Sequence, residues 1–196
     1  MQKLKSDKYH APINPGLLYG ENIKFHSKYS LWVYVFLKLW QLYYVQRDIK
    51  NIIKVDYDEL GKLFRTSRTT LSFAVNELVN AGLLINKGFN KYSLVDENKV
   101  LNNDGENFIQ IYNNHFLDLL NRGLSIRQLQ IYYHLVYSTY YISEENGFTQ
   151  SRETQTSVTK KIKSRGDDVK QEIEGLMDHG LVGKDKKGRL YVKTQK

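Results

Sequence analysis

The chain of 196 residues contains no cysteine and only 2 prolines. Without cysteine no disulfide can staple a small fold and no thiolate can hold zinc, a composition suited to a reducing compartment. So few prolines leave little scope for extended linkers. The apolar run 31–37 stops at Lys38, far short of a membrane span. Met1 opens onto polar, lysine-bearing sequence rather than the apolar core of a secretory signal, so a soluble cytoplasmic protein with no membrane partner is expected. The histidines, His10, His26, His115, His134 and His179, have none of the two- or four-residue spacings that set a pair on one metal. No phosphate-cradling GxxxxGK[ST] occurs: Gly61-Lys62 falls inside a helical pattern and Lys87-Gly88 in a turn. A DNA-nicking enzyme would need a metal-binding histidine pair near a nucleophilic tyrosine, and that pair is missing. The expectation is a protein without catalytic residues, metal or cofactor.

What the chain does have is aromatic mass and positive charge. Fifteen tyrosines and 8 phenylalanines, within a hydrophobic fraction of 41%, supply apolar area for two small cores. The formal net charge is +8, with 14 basic against 9 acidic residues in 1–98 and 15 against 12 in 99–196. A basic surface favours a polyanionic partner, because neutralised phosphates release their condensed counterions.

The chain also repeats itself at an offset of 98. Leu71, Val75, Leu78, Val79, Gly82, Leu83 and Leu84 recur without a gap as Val169, Ile173, Leu176, Met177, Gly180, Leu181 and Val182. Upstream, Ser27, Leu31, Val33, Tyr34, Leu37 and Tyr43 align with Ser125, Leu129, Ile131, Tyr132, Leu135 and Tyr141. Each half carries a helical pattern ending at glycine, which points to two domains, 1–98 and 99–196, with a polar linker at about 96–106.

In the first half, residues 27–45 are apolar on nearly every side and suit a buried helix. The β-branched run Ile52-Ile53-Lys54-Val55 reads as a short strand, and Asp56, three residues before Glu59, as the cap of a second helix. Arg65-Thr66-Ser67 forms a turn, and Ser67 caps a third helix with Leu71, Ala74, Val75, Leu78 and Val79 inward. Its outer face offers Arg68, Thr69, Ser72, Phe73 and Asn76, and Arg65, Ser67 and Thr70 at its start with Lys87 and Lys91 on the following hairpin complete the candidate DNA contacts of this half. Arg suits guanine, Asn suits adenine, hydroxyls suit phosphates or base edges, and Phe suits a thymine methyl. A solvated face is the alternative, but only Glu77 is acidic between Glu59 and Asp96, while Lys62, Arg65, Arg68, Lys87 and Lys91 share that span. Leu83-Leu84-Ile85 and 91–95 then form a hairpin around the turn 86–90.

This order, with Ser67-Arg68-Thr69-Thr70-Leu71 opening a helix that closes on Asn80-Ala81-Gly82-Leu83-Leu84, resembles the winged-helix superfamily over residues 27–95. The resemblance implies a mostly α fold with small β hairpins (α+β), here as tandem duplicated winged-helix domains.

In the second half, 108–111 reads as a strand, 114–120 as a short helix, and Ser125 as the cap of a long helix 126–141. The stretch from Phe108 through Leu135 resembles openings of winged-helix domains in phage and plasmid replication proteins. The third helix departs from a groove reader: Ser164, Arg165 and Gly166 lead into Asp167 and Asp168, which suit a helix N-terminus but repel phosphate. Positive charge gathers instead on the preceding turn, at Lys160, Lys161, Lys163 and Arg165, and on the hairpin, at Lys184, Lys186, Lys187 and Arg189. These residues suit backbone or minor-groove contact, with a solvated lysine surface as the alternative. The expected partner is double-stranded DNA, with a homodimer and a replication or transcription protein as further candidates. Replication initiation on a plasmid or phage is the first functional reading, transcriptional regulation the second, and a condensin-accessory type of protein-binding scaffold the third.

Overall fold

A computed structural model describes residues 10–21, 23–45, 52–101, 108–139, 148–163 and 165–193. Helices mix with small antiparallel sheets in two compact units, Met1–Gly123 and Leu124–Lys196. The first runs β1 (His10–Ile13), α1 (Pro15–Tyr19), α2 (Ser30–Val45), β2 (Ile53–Lys54), α3 (Tyr57–Phe64), α4 (Arg68–Asn80), β3 (Leu84–Asn86), β4 (Lys91–Leu94), α5 (Glu97–Leu101), β5 (Ile109–Tyr112) and α6 (Asn113–Asn121). The second runs α7 (Ile126–Thr139), β6 (Phe148–Thr154), α8 (Gln155–Lys161), α9 (Gly166–Asp178), β7 (Val182–Lys184) and β8 (Arg189–Lys193). Among the described residues no helix is long and apolar enough to cross a membrane.

The units divide at 123–124, some way beyond the expected boundary at 98–99, because β5 and α6 join the first core. β5 pairs antiparallel with β1, and Phe116 of α6 stacks on Trp32 of α2 at 6.1 Å between ring centroids. In that pairing Pro12 faces Gln110, its own counterpart at the offset of 98. A short polar-looking linker gave no sign of this, since the partner of each strand lies almost a hundred residues away in sequence.

The polar stretch expected as linker is also partly helical. In α5, Glu97 is wholly buried and Leu101 nearly so, while 102–107 lie outside the described residues. The Glu97 carboxylate accepts the Tyr34 hydroxyl at 2.6 Å and the Lys38 ammonium at 2.5 Å, and Lys38 also donates to the Pro12 carbonyl. Burial, then the adjacent Glu97 charge, raises the Tyr34 phenol far above its ordinary pKa. A buried carboxylate needs such partners, and here they tie α5 and β1 to α2.

α2 is buried on nearly every side, as its all-round apolar sequence requires, with Trp32, Val33, Tyr34, Val35, Leu37 and Leu39 in the core. Against it α4 sets Leu71, Ala74, Val75 and Leu78, all fully enclosed. Burying each larger aliphatic side chain of that stripe contributes about 1.5–3 kcal/mol relative to exposure.

Each unit contains the order helix, strand, helix, helix, hairpin, with the sheet orders β2-β4-β3 and β6-β8-β7. At the offset of 98, α4 at 68–80 coincides with α9 at 166–178 and β3 at 84–86 with β7 at 182–184, while the bounds of the other elements differ by one to several residues. Even the backbone irregularities correspond. Arg65 and Lys163, neither a glycine, take φ of 50° and 51° after α3 and α8, and Gly82 and Gly180 take 74° and 70° after α4 and α9. The glycine positions are helix C-terminal turns where only a residue without Cβ is unstrained. Leu83 N–H bonds to Leu78 C=O and Leu181 N–H to Leu176 C=O, closing both turns alike.

Candidate nucleic-acid interface

The position of α4 follows from two capping residues. Asp56 accepts the N–H groups of Asp58 and Glu59, both at 3.0 Å, and starts α3; these bonds, the Glu59 N–H foremost, hold its carboxyl below the usual range. Ser67 Oγ accepts the Thr70 N–H at 3.1 Å and shares a hydrogen bond with the Thr70 hydroxyl at 2.9 Å. These two hydroxyls of the sequence-derived set are thus engaged in starting α4. Arg68, Thr69, Phe73 and Asn76 lie exposed on its outer face, Ser72 is half-buried beside them, and Phe73 keeps 52% of its surface in solvent.

Arg68 is oriented from below. Its guanidinium lies 5.8 Å from the ring centre of Tyr57, and the Tyr57 hydroxyl shares a 3.1 Å hydrogen bond with that of Tyr92 on β4. Burial, then the Tyr92 bond, raises the Tyr57 phenol far above its ordinary pKa, so the ring stays a neutral π face for the cation. The contact connects the first residue of α4 with the sheet.

Glu77, the single acid of α4, is withdrawn from the outer face. Its two carboxylate oxygens accept the backbone N–H groups of His26 at 2.7 Å and Ser27 at 2.9 Å, and the Ser30 hydroxyl at 2.7 Å. Burial acts to raise its pKa, but the Ser30, Ser27 and His26 hydrogen bonds outweigh it and hold the carboxyl below its ordinary value. The negative charge therefore sits at the start of α2, where a helix N-terminus favours it.

The hairpin β3–β4 carries Lys87 and Lys91, both exposed. Lys54 on β2, which in sequence lies more than thirty residues before Lys91, faces it directly across the strand pair. Two like charges opposite each other repel, and an anion between them would relieve it. Phe89, which the sequence places in the turn 86–90, stands 97% exposed at the hairpin tip. Arg65 is not brought to this face: its guanidinium crowds Gly123 and reaches the Asn121 carbonyl at 3.4 Å, at the C-terminal end of α6.

In the second unit the charge is distributed differently. The outer face of α9 carries Asp167, Asp168, Lys170, Gln171 and Glu174, all exposed. Asp168 pairs with Arg127 at 3.2 Å, and Glu172 accepts the Ser125 hydroxyl at 2.9 Å. Lys160 and Lys161 lie in the last turn of α8, Lys163 takes the left-handed turn, and Arg165 occupies the N-cap of α9 without a side-chain cap bond. All four are exposed; Ser164 lies outside the described residues. On the hairpin β7–β8, Lys184, Lys186 and Lys187 are exposed, but Arg189 gives its Nε to Asp185 at 2.7 Å. Asp185 also accepts the N–H groups of Arg189 and Lys187, at 2.8 Å each; these bonds, the Arg189 N–H first, hold its carboxyl low. Asp185, absent from the sequence-derived set, thus offsets one of its four cations.

No protein-family model, no curated protein and no solved structure matches the chain.

Proposed function

We propose that the chain is a sequence-specific, double-stranded DNA-binding protein without catalytic activity, built from two tandem winged-helix domains. The observation that carries this reading is the outer face of α4: Arg68, Thr69, Ser72, Phe73 and Asn76 lie together while Glu77 is turned away to cap α2. That arrangement leaves base-reading groups on a helix with no exposed acid, in the unit whose β2 and hairpin carry the exposed Lys54, Lys87 and Lys91. In the winged-helix reading α3 and α4 form the helix-turn-helix, α4 enters the major groove, and the hairpin β3–β4 is the wing.

The second unit, with acids on α9, suits backbone contact through Lys160, Lys161, Lys163, Arg165 and the β7–β8 lysines better than base reading. The resemblance of its opening to replication proteins favours a plasmid or phage replication initiator over a transcriptional regulator. A homodimer and a replication or transcription partner belong to the same reading. Titrating the full chain against a labelled random-sequence duplex over a range of salt tests it. Binding whose log K falls linearly with log salt is expected, and absence of duplex binding at low salt would reject it.

A further inference from the structure

The hairpin β3–β4 ends in an expensive way. The Lys91 N–H bonds to the Gly88 carbonyl at 2.9 Å and closes a four-residue turn whose central pair is Phe89 and Asn90. Both have positive φ, 45° and 58°, the combination of a type I′ turn. Asn90 tolerates that conformation, but the first central position is ordinarily Asn, Asp or Gly, and a bulky aromatic there is an outlier. Phe89 obtains no packing in return, since 97% of its surface is in solvent. The counterpart hairpin of the second unit shows a less strained way to turn: there Gly188, at φ 77°, takes the left-handed position.

Strain and exposure together at one side chain point to a role outside the fold. The surroundings indicate the partner. Lys87 and Lys91 border the turn, joined by the Lys87 N–H to Lys91 carbonyl bond at 2.8 Å, and Lys54 faces Lys91 across the strand pair, so three cations lie at the turn end of the sheet. An apolar protein surface would have to desolvate those ammonium groups, whereas stacked bases between two phosphate strands present an aromatic slot bordered by anions.

We propose that Phe89 is a wedge that enters a base step of the bound duplex from the minor groove, partly unstacking it, while Lys54, Lys87 and Lys91 hold the flanking phosphates. This rests on the duplex-binding reading above and adds to it a deformation of the DNA. Pyrimidine–purine steps, the easiest to unstack, are the preferred targets.

Two measurements on the full chain test the wedge. Relaxed plasmid is closed by a topoisomerase in the presence of wild type, Phe89→Ala, Phe89→Leu or Phe89→Asn, with plasmid binding followed in parallel by mobility shift. Unstacking unwinds the helix, so wild type is expected to displace the topoisomer distribution, Phe89→Leu to do so in part, and Phe89→Ala and Phe89→Asn to leave it unmoved. The Asn variant suits the turn and so separates loss of the wedge from loss of the hairpin. Affinity of the Ala variant for a random duplex should fall about tenfold. A displacement by the Ala and Asn variants equal to wild type, with binding retained, overturns the wedge alone. Failure of wild type to bind any duplex overturns the duplex reading and the wedge with it. The second measurement uses Phe89→Trp, whose indole adds its emission to that of the buried Trp32 and of Trp40. The emission gained over wild type should be quenched and shielded from acrylamide on adding duplex. An added indole as accessible in the complex as in the free protein contradicts insertion.

Discussion

Ser30 donates its hydroxyl to the Glu77 carboxylate at 2.7 Å, and the residues 98 positions on, Gln128 and Gly175, meet in the second unit with large and small partners exchanged. A Cβ on Gly175 would collide with the Gln128 amide. Glu77 accepts the Ser27 N–H from α4, whereas the Gln128 oxygen accepts the Ser125 N–H at 2.8 Å from within the helix it caps. The same junction is thus made once with a charge and once without. In the first unit this arrangement removes the single acid of α4 from the face proposed to read DNA.

Replacing Glu77 with alanine should destabilise the first unit by about 1.5–3 kcal/mol, the range for hydrogen bonds to a charged group. Both tryptophans, Trp32 and Trp40, lie in that unit, so their fluorescence in a urea titration reports its unfolding. The carboxyl is held below its ordinary value of 4.5, so its contribution is present above that pH and is lost as pH falls through the folded pKa. The Glu77→Ala penalty should accordingly shrink as the pH falls below 4.5 into strong acid. A penalty equally large in strong acid would contradict the charge-based role.

Lys38 and Glu97 form a deeply buried ion pair, with side-chain exposures of 19% and 0%. Lys38→Met leaves Glu97 enclosed without its cation and should cost about 3–5 kcal/mol, while Lys38→Met with Glu97→Leu should recover most of that loss. The tryptophan-monitored urea midpoint distinguishes the two. A double variant no more stable than the single one would mean that Glu97 matters chiefly through its bond to Tyr34.

Much of this architecture is legible in the sequence because it is encoded locally. Asp56, Ser67 and Gly82 are capping and turn residues whose effect spans a few positions, and the inward stripe Leu71, Ala74, Val75 and Leu78 has helical period. The pairing of β1 with β5 and the burial of Glu97 depend on partners far off in sequence, and α5 therefore reads as polar linker. The candidate site divides in the same way. The α4 face follows from periodicity, but the diversion of Arg65 to the end of α6, the capture of Arg189 by Asp185 and the opposition of Lys54 and Lys91 all require knowing which strand or helix lies alongside.

The second hairpin should contribute uniformly to all duplexes. Neutralising Lys184, Lys186 and Lys187 is expected to flatten the slope of log K against log salt by roughly 0.9 for each phosphate no longer neutralised. Arg189→Ala should change that slope less than any one of the three, because its guanidinium already faces Asp185. Binding isotherms on a random duplex over a salt series check both statements. A larger slope change for Arg189→Ala than for the lysines would show that the Asp185 pair opens on binding.

The most direct test of the account is selection of bound duplexes from a random pool by the full chain, repeated with Arg68→Ala and Asn76→Ala. Wild type is expected to enrich a defined site, and each variant to lose about 1–3 kcal/mol of discrimination at one position of that site while keeping its affinity for random duplex. No enrichment by wild type, or an equal loss by the variants on selected and random DNA, would contradict base reading by α4.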